Sequence, residues 1–346
     1  MLERRGGDGG GRVLLAAALV AGGALAARAL VRARQSYDLR DRVVLITGGS
    51  RGLGLVLARE FASRGSRIVI CARDRDELER ARLDLEGRGA RVLALACDVT
   101  DRAQVEEMVR DVTREWATID VLVNDAGVIQ VGPLDSLTRE DYEEAMRTHF
   151  WGPLNTILAV LPQMRARREG RIVNISSVGG KISVPHLLPY SASKFALTGL
   201  SEGLHAELAR DNVVVTTVCP GLMRTGSPRN AQFKGKHRAE YAWFSIADAM
   251  PVLSTSAESA ARRIVDACRR GDPELTFPLL TRLAVGFNGL FPSVTSEILG
   301  QVNRVLPEAG GVGTARVRGA ESQSRMSPSP LTALGDRAAA RNNELG

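Results

Sequence analysis

Several residue types that organise other classes of protein are scarce in this chain. Among 346 residues there are four cysteines, and aromatic side chains make up 4%. Cys71, Cys97, Cys219 and Cys268 lack the spacing of a metal site, and most fall in or beside strand-like apolar runs. Such cysteines are typical of buried, reduced thiols. No repeat of the solenoid type is present. These absences argue against a disulfide scaffold, a metal module and a repeat protein.

Positive charge is also scarce where a nucleic-acid groove would need it. The formal net charge is +7, but residues 1–40 hold seven Arg against three acids, and residues 304–346 hold six Arg against four acids. The remaining body of the chain is therefore close to neutral. Because a nucleic-acid surface is basic and carries aromatic side chains within the fold, we predict no nucleic-acid partner.

One stretch approaches the length of a membrane span. Residues 13–31 are small and largely apolar, but a spanning helix needs roughly 20 apolar residues, and the Ala and Gly content weakens this one. Three interpretations stay open: a membrane anchor, which we favour, a cleaved targeting segment, and a soluble helix. With an anchor, the protein is membrane-associated and its folded body lies in the cytoplasm. Without one, it is a soluble cytoplasmic protein.

Residues 42–220 alternate short apolar runs with charged segments of helical spacing. The runs lie at 43–47, 67–71, 91–96, 119–123, 171–176 and 213–219. Strands that alternate with helices predict a parallel sheet covered by helices on both faces. We therefore predict an α/β fold, a Rossmann-like doubly wound sheet that forms a single domain over residues 41–270 with a C-terminal helical extension.

The segments outside this pattern have their own predictions. Residues 1–40 are an N-terminal tail, residues 271–307 are a C-terminal extension, and residues 308–346, rich in Gly, Ser, Arg and Ala, are a disordered tail. The apolar residues of the extension could be part of the hydrophobic core, form a dimer surface or contact a membrane. Residues 226–250 carry Phe233, Tyr241, Trp243 and Phe244. These side chains either pack a long loop or form a lid over an apolar substrate, and we favour the lid.

A glycine-rich turn follows the first strand and opens a helix. It reads Thr47-Gly48-Gly49-Ser50-Arg51-Gly52-Leu53-Gly54. Glycines at 48, 52 and 54 let the backbone turn tightly and approach a pyrophosphate, which a helix N-terminus stabilises. Such a pattern can be an ordinary tight turn, but in a strand–turn–helix context it predicts a dinucleotide site.

The residues after the second strand bear on which dinucleotide binds. NAD-type sites keep a carboxylate about twenty residues beyond the turn, whereas this chain reads Cys71-Ala72-Arg73 there. Arg73 and Arg51 are cations suited to a 2′-phosphate, and no acid precedes Arg73. We therefore predict NADP as the cofactor and regard NAD as less favoured, although Asp74 could neutralise Arg73.

A tyrosine and a lysine further along the chain form a candidate catalytic pair. Tyr190 and Lys194 are four residues apart and therefore share one face of a helix. A phenol titrates near pH ~10, and a neighbouring ammonium is expected to lower its pKa toward the working range. Ser177 ends a strand-like run, at the sheet edge where ligands bind. The pair alone is a weak signal; with Ser177 and the glycine turn it predicts acid–base chemistry beside a dinucleotide.

With these pieces together, residues 42–225 resemble the short-chain dehydrogenase/reductase superfamily. The glycine turn has the spacing of the single-domain members. The other matching motifs, in order, are Asp98-Val99, Asn124-Asp125-Ala126-Gly127, Ser177, the Tyr190/Lys194 pair, and Pro220-Gly221 with Thr225. Their joint order and spacing are very specific and cover over half of the chain.

The resemblance implies a role for each matching residue. Lys194 would bind the nicotinamide ribose and lower the pKa of Tyr190, while Ser177 would orient the substrate carbonyl. Asp98 and Val99 would contact adenine. The predicted cofactor-binding residues are Thr47, Gly48, Ser50, Arg51, Gly52, Leu53 and Gly54 in the turn, Arg73, Asp98 and Val99 on the adenosine side, Asn124, Ala126 and Gly127 along the ribose path, Tyr190 and Lys194, and Pro220, Gly221 and Thr225 at the nicotinamide end.

Two positions depart from the family's pattern. The second asparagine of the usual Asn-Asn-Ala-Gly is Asp125 here, and His149 stands where a helix asparagine usually completes the catalytic group. In the family, the backbone carbonyl of that residue holds a water that relays protons to the lysine, which a histidine backbone can also do. We therefore count His149 as a catalytic residue. It could instead distort the helix or titrate near neutrality.

From the sequence we predict an NADP(H)-dependent oxidoreductase that transfers a hydride between the nicotinamide and a lipophilic carbonyl or alcohol. Two other classes stay open. One is a cofactor-binding regulatory or structural protein with weakened turnover, because of Asp125 and His149. The other is a membrane-tethered interaction protein that acts through its basic tails. The family often forms dimers or tetramers, so a homo-oligomer is an expected option, and no metal is predicted.

Overall fold

The computed structural model of the protein describes residues 22–23, 36–251, 254–324 and 327–345. Its centre is a parallel sheet of seven strands in the order β3-β2-β1-β4-β6-β7-β11. The order reverses between β1 and β4, which is where ligands bind in sheets of this kind. The strands of this sheet are β1 Val43–Thr47, β2 Arg67–Ala72, β3 Val92–Ala96, β4 Val121–Asn124, β6 Gly170–Ile175, β7 Val213–Pro220 and β11 Glu274–Phe277.

Helices cover both faces of the sheet, so the predicted Rossmann-like fold is confirmed. The helices are α1 Gly52–Ser63, α2 Arg75–Gly87, α3 Arg102–Trp116, α4 Arg139–Met146, α5 Gly152–Arg167, α6 Leu188–Glu207, α7 His237–Ala249, α8 Ala257–Arg270, α9 Leu279–Leu290, α10 Pro292–Asn303 and α11 Ala333–Arg341. Short strands add two small sheets, β12-β9-β5 and β10-β8, from β5 Gln130–Val131, β8 Leu222–Arg224, β9 Gln232–Phe233, β10 Ser254–Ser256 and β12 Val317–Arg318.

Burial on both faces of the sheet explains why its strands read as continuous apolar runs. All five residues of β1 are buried. Val44 and Ile46 pack on one face with α1, α2 and α8, whereas Val43 and Leu45 pack on the other with α3 and α5. Alternate side chains of a strand point to opposite faces, so a strand covered on both sides is apolar at every position.

The sheet extends beyond the predicted domain boundary at residue 270. Strand β11 lies within the predicted extension and pairs in parallel with β7. After it, α9 and α10 form a helical pair whose apolar side chains are largely exposed, including Leu279, Leu283 and Leu290. The segment 271–307 is therefore an edge strand of the domain followed by two surface helices.

The structure differs from the prediction of a disordered tail at residues 308–346. In the described part of this segment, β12 pairs antiparallel with β9, and α11 buries Ala338 and Ala339. A Cβ on Gly226 would lie 2.4 Å from the Cα of Ala339, so α11 packs directly on that backbone. The Ala and Gly content, which led us to predict disorder, here permits close contact between backbones.

Residues 226–250 form β9 and α7 rather than a long loop. Phe233, Tyr241 and Phe244 are buried and pack together in a separate apolar cluster, with Phe233 and Tyr241 in edge-to-face contact. The prediction of an aromatic lid over the substrate is therefore wrong. The packing alternative describes this segment correctly.

The predicted anchor at residues 13–31 falls outside the described residues except for 22–23. Within the ranges that the structure describes, no helix combines the length and apolar character needed to cross a bilayer. The anchor therefore stays a prediction.

Candidate active site

A cleft of about 650 Å³ opens at the carboxyl ends of the central strands. This volume lies in the range of small-molecule and cofactor sites. The strands end in register beneath it, since Thr47, Asn124, Asn174 and Thr217 are successive cross-strand neighbours in β1, β4, β6 and β7. The cleft therefore lies at the reversal of strand order, where a ligand is expected.

The glycine turn at one side of the cleft has the backbone that its sequence predicts. Gly48 and Gly52 have φ values of 70° and 56°, a region that L side chains rarely adopt. A Cβ on Gly54 would lie 2.2 Å from the carbonyl oxygen of Gly48. The turn can therefore fold back on itself only with glycine at 54.

Helix α1 begins at this turn without a side-chain cap. The side chains of Asp74 and Asp101 accept backbone N–H groups at the starts of α2 and α3. The residue that precedes α1 is Arg51, which provides no such bond, and the first turn of α1 holds no acid. The first N–H groups of a helix need partners and favour anions, and here the N–H of Gly52 finds its partner elsewhere in the chain, in the carbonyl oxygen of Asn342 at 2.9 Å.

Most of the predicted site residues line the cleft. The glycine turn contributes Gly48, Ser50, Arg51, Gly52 and Leu53. The loops after the other strands, the π turn between α4 and α5, and helix α6 contribute Arg73, Asp98, Val99, Ala126, Gly127, His149, Ser177, Tyr190, Lys194, Pro220, Gly221 and Thr225.

Three predicted cofactor residues, Thr47, Gly54 and Asn124, support the wall of the cleft instead of lining it. The hydroxyl of Thr47 accepts the backbone N–H groups of Asp125 and Ala126 at 3.1 and 3.2 Å. Asn124 is buried, and its amide donates to Asn174 at 2.9 Å. These side chains are already satisfied by protein groups, so they shape the site indirectly.

Ser177, Tyr190 and Lys194 converge at the catalytic side of the cleft. Ser177 follows β6, and its hydroxyl lowers the pKa of the Tyr190 phenol. It also accepts the N–H of Gly179 at 3.0 Å. Lys194 lies one turn along α6, with its Nζ 5.7 Å from the centroid of the Tyr190 ring. The Nζ donates to the backbone carbonyl oxygen of Ile175 at 2.7 Å.

The pKa of Tyr190 moves opposite to the sequence prediction. Burial raises it to about 12, and the hydrogen bond to Ser177 offsets this only in part. Lys194 is not one of the groups that shift this pKa, and its Nζ donates to the carbonyl oxygen of Ile175. Burial also lowers the pKa of Lys194, while Asp125 opposes that shift. Tyr190 is therefore a protonated phenol near neutral pH.

His149 fits the catalytic side as a neutral ring. It is 1% exposed, and its Nε2 accepts the N–H of Val128 at 3.1 Å. Since Nε2 is an acceptor, Nδ1 carries the proton and donates to the Ser193 hydroxyl at 2.8 Å. Ser193 donates in turn to the backbone carbonyl of Tyr190. Burial holds the pKa of His149 well below its ordinary value, so titration near neutrality is not supported.

The helix around His149 is locally widened. Residues Arg147–Trp151 form a π turn between α4 and α5. The His149 ring packs edge to face on Tyr190, with centroids 5.4 Å apart. Turns of this type often occur at functional sites. The alternative that His149 distorts the helix is consistent with this π turn. The His149 ring also supports the position of Tyr190.

Asp125, the second departure from the family pattern, also lines the cleft. Burial raises its pKa and Lys194 opposes that shift, and its Oδ2 lies close to Gly54, since a Cβ on Gly54 would be 3.0 Å from it. The carboxyl group therefore connects the glycine turn to Lys194, which ties the two sides of the cleft together.

Comparison with known proteins agrees with this geometry. Residues 42–234 match the family described as short chain dehydrogenase. The chain belongs to this family. It is 36% identical over 267 residues to "Dehydrogenase/reductase SDR family protein 7-like" of Anopheles gambiae, covering 75% of this chain and 83% of that protein. This short-chain dehydrogenase is therefore an oxidoreductase by family.

Two solved structures bear on the fold and the cofactor. A variant of actinorhodin polyketide ketoreductase with NADPH has a TM-score of 0.61 and 30% identity, covering 68% of this chain and 95% of its own. A short-chain dehydrogenase/reductase of Burkholderia phymatum in complex with NAD has a TM-score of 0.69 and 24% identity, covering 75% and 96%. The second is similar in fold alone. Since one holds NADPH and the other NAD, the neighbours do not decide the cofactor.

The short-chain dehydrogenase cleft also contains residues that sequence reasoning missed. Glu344 lines it beside the glycine turn, although it is 292 positions from Gly52 in the chain. Glu77 and Arg318 line it as well. No local motif marks any of these residues, and Glu344 lies in the segment predicted to be disordered. Only the packing of α11 brings it to the site.

These acids change the interpretation of Arg51. Its guanidinium pairs with Glu77 at 2.5 Å and lies 3.5 Å from Glu344. Arg73, by contrast, is exposed on the cleft and forms no ion pair with any residue of the described ranges. Of the two arginines predicted to hold a 2′-phosphate, Arg73 is the one whose charge is not already matched by acids.

Proposed function

We propose that this short-chain dehydrogenase is an NADP(H)-dependent oxidoreductase that interconverts a carbonyl and an alcohol, with Tyr190 as general acid/base. The observation that carries this proposal is the convergence of Ser177, Tyr190 and Lys194 in the cleft that begins at the glycine turn. When bound, the nicotinamide cofactor would supply or accept the hydride.

The residues of the cleft suit a dinucleotide. The turn at Gly48 and Gly52 allows close backbone approach. The start of α1 has no side-chain cap and would offer N–H groups to a pyrophosphate once the Gly52 N–H is released from the carbonyl oxygen of Asn342. Arg73 would meet the 2′-phosphate that distinguishes NADP from NAD. This preference now depends mainly on Arg73, because Arg51 is paired with Glu77.

The protein groups divide the proton chemistry between them. As a protonated phenol, Tyr190 can donate to a carbonyl oxygen during reduction and take the proton back during oxidation. The Ser177 hydroxyl would hold the same oxygen. Lys194, whose Nζ lies 5.7 Å from the centroid of the Tyr190 ring, would hold the nicotinamide ribose beside the phenol. His149 positions Tyr190 through the ring contact and the Ser193 hydroxyl.

A lipophilic substrate remains our choice, on a different basis from the aromatic segment. Helix α9 begins next to the nicotinamide end of the cleft, since a Cβ on Gly221 would lie 2.3 Å from the hydroxyl oxygen of Thr281. From there α9 exposes Leu279, Leu280 and Leu283. An apolar surface beside the cleft favours an apolar substrate.

A screen of lipophilic ketones and aldehydes for NADPH oxidation tests the proposal. Replacement of Tyr190 by Phe should lower turnover about 10²- to 10⁴-fold, the usual contribution of general acid–base catalysis. Tyr142→Phe is the matched control, since Tyr142 lies outside the cleft. Undiminished turnover in Tyr190→Phe would contradict the mechanism, and faster turnover with NADH at equal concentration would contradict the cofactor assignment.

A regulatory or structural protein that binds the cofactor with little turnover is the second candidate. It is favoured by the position of Glu344, which lies on the glycine turn where a dinucleotide phosphate would bind. Tight NADPH binding without oxidation across the whole carbonyl panel would select this alternative.

Membrane attachment through residues 13–31 remains part of the proposal. A reporter fused to residues 1–40 should sediment with membranes. A fully soluble fusion would remove the anchor.

A further inference from the structure

The start of α1 is covered by a segment from the far end of the chain. The N–H of Gly52, the first residue of the helix, donates to the carbonyl oxygen of Asn342 at 2.9 Å. The Glu344 carboxyl group lies against the same residue, since a Cβ on Gly52 would be 2.6 Å from Glu344 Oε1. Carbonyl and carboxyl oxygens are acceptors, as phosphate oxygens are, and here they take the place at a helix N-terminus that favours phosphates.

Glu344 is held there by groups from two other elements. Asn230 donates to its carboxyl at 2.5 Å and to its backbone carbonyl at 3.1 Å. The Arg51 guanidinium lies 3.5 Å from the carboxyl. The residue is 5% exposed. A buried side chain with these partners is a built contact rather than a loose chain end.

The two asparagines before Glu344 lock the segment to the turn. The Asn343 amide donates to the backbone carbonyls of Ser50 and Glu77 at 2.9 and 3.0 Å. The Asn342 amide donates to the carbonyl of Thr225 at 3.2 Å. Ser50 and Thr225 are both positions assigned to the cofactor. The segment therefore bridges two parts of the proposed dinucleotide site.

We propose that residues 341–345 form an autoinhibitory segment that occupies the phosphate side of the dinucleotide site and must leave before the cofactor binds. The inference rests on the proposed cofactor, but not on turnover. The docked segment and a bound phosphate would both need the N–H group of Gly52 and the space beside it. The segment and the cofactor therefore exclude each other. Apparent cofactor affinity is then reduced by the fraction of molecules in which the segment is docked.

Hydrogen exchange with and without NADPH tests the proposal on the unmodified protein. NADPH should protect the amides of residues 48–54 and raise the exchange of residues 333–345. Added protection of both segments would overturn the proposal, because the C-terminal segment would then close over the cofactor. Unchanged exchange at 333–345, with residues 48–54 protected, would also overturn it.

Two variants test the same point by affinity. Glu344→Ala and Asn343→Ala each remove bonds of the docked segment, so each should lower the Kd for NADPH by about three- to tenfold. Glu321→Gln is the matched control, because Glu321 is an exposed acid of the C-terminal region 308–346 that lies outside residues 341–345. The Kd of this variant for NADPH should equal that of the wild type. Equal or weaker NADPH binding by both folded alanine variants would overturn the proposal.

The outcome is separable from that of the proposed function. Affinity and exchange are measured without a carbonyl substrate, so the segment can be shown to compete with NADPH even if no substrate is turned over. Conversely, turnover that depends on Tyr190 can be found in a protein whose C-terminal segment never moves.

Discussion

The two sides of the cleft differ in how their polar groups are satisfied. On the catalytic side, Ser177, Tyr190 and Lys194 take their hydrogen-bond partners from residues no more than 19 positions away, and His149 packs beside them as a neutral ring. On the phosphate side, the start of α1 takes its partners from residues about 290 positions away. One side is assembled by local structure, and the other depends on a distant segment that a ligand can replace. The catalytic side is therefore ready before the cofactor arrives, whereas the phosphate side must first be cleared.

The largest effect is expected from substitution of the two arginines on the phosphate side, Arg73 and Arg51. Arg73→Ala should weaken NADPH binding about tenfold or more and leave NADH binding nearly unchanged, because a charge-assisted bond to a 2′-phosphate is lost. Arg51→Ala should cost less, since Glu77 already neutralises that guanidinium. Titration calorimetry with both nucleotides measures the difference.

Arg75→Ala is the control for these variants, because Arg75 is exposed but does not line the cleft. A larger loss from Arg51→Ala than from Arg73→Ala would show that Arg51 leaves its acids to hold the phosphate.

The pH dependence of cofactor affinity is the second test, and its sign follows from Glu344. Burial raises the pKa of this residue from 4.5 to about 7 when the segment is docked. Below about pH 4.5 both docked and free forms are protonated, and docking is strongest. Between the two values only the docked form keeps the proton, so rising pH favours release, and above about pH 7 the effect levels off.

Replacing Glu344 by Gln fixes the protonated form. The NADPH affinities of wild type and Glu344→Gln should converge as the pH falls toward 4.5, whereas at pH 8 the wild type should bind about three- to tenfold more tightly. Comparison at each pH cancels the titration of the 2′-phosphate itself. The charged groups that also face Glu344 are Arg51, Glu77 and Arg229, with Asp125 and Asp248 interacting at longer range. A ratio that stays constant with pH would contradict this assignment.

The smallest effect is expected on the catalytic side, at His149. His149→Asn should change turnover by less than about threefold, because the ring positions Tyr190 and does not titrate in the working range. Steady-state kinetics from pH 6 to 9 should give profiles of the same shape for both proteins. A large gain in turnover would instead mean that the natural histidine impairs the enzyme.

Periodicity and motif spacing were enough to predict the sheet and the side chains that converge in the cleft. The apolar runs at 43–47 and 213–219 became central strands because burial on both faces leaves no polar position in them. Tyr190 and Lys194 met Ser177 because a helix and an adjacent strand end bring fixed spacings to one edge of the sheet. Both rules depend only on residues close together in the chain, so they can be read from a single sequence.

The predictions that failed depend on contacts between residues distant in sequence, which local patterns do not reveal. Partners distant in sequence decide whether Arg51 is free, what the pKa of Tyr190 is, and whether residues 308–346 fold. Glu77 and Glu344 take up Arg51, burial rather than Lys194 dominates Tyr190, and Gly226 receives α11. Phe233 and Tyr241 show the same limit, because an aromatic segment has one composition whether it packs inward or forms a lid.

The bond from Asn343 to Ser50 joins residues 293 positions apart, which has a consequence for the newly made chain. The central sheet can close once Phe277 has been added, roughly 65 residues before the covering asparagines exist. At a synthesis rate of about 5–20 residues per second, the nascent protein spends on the order of 3–13 s with its nucleotide pocket uncovered. If the segment and a dinucleotide compete as proposed, we expect dinucleotide present during translation to reach the pocket first, so that protein made in cells should carry more bound nucleotide than protein refolded without it.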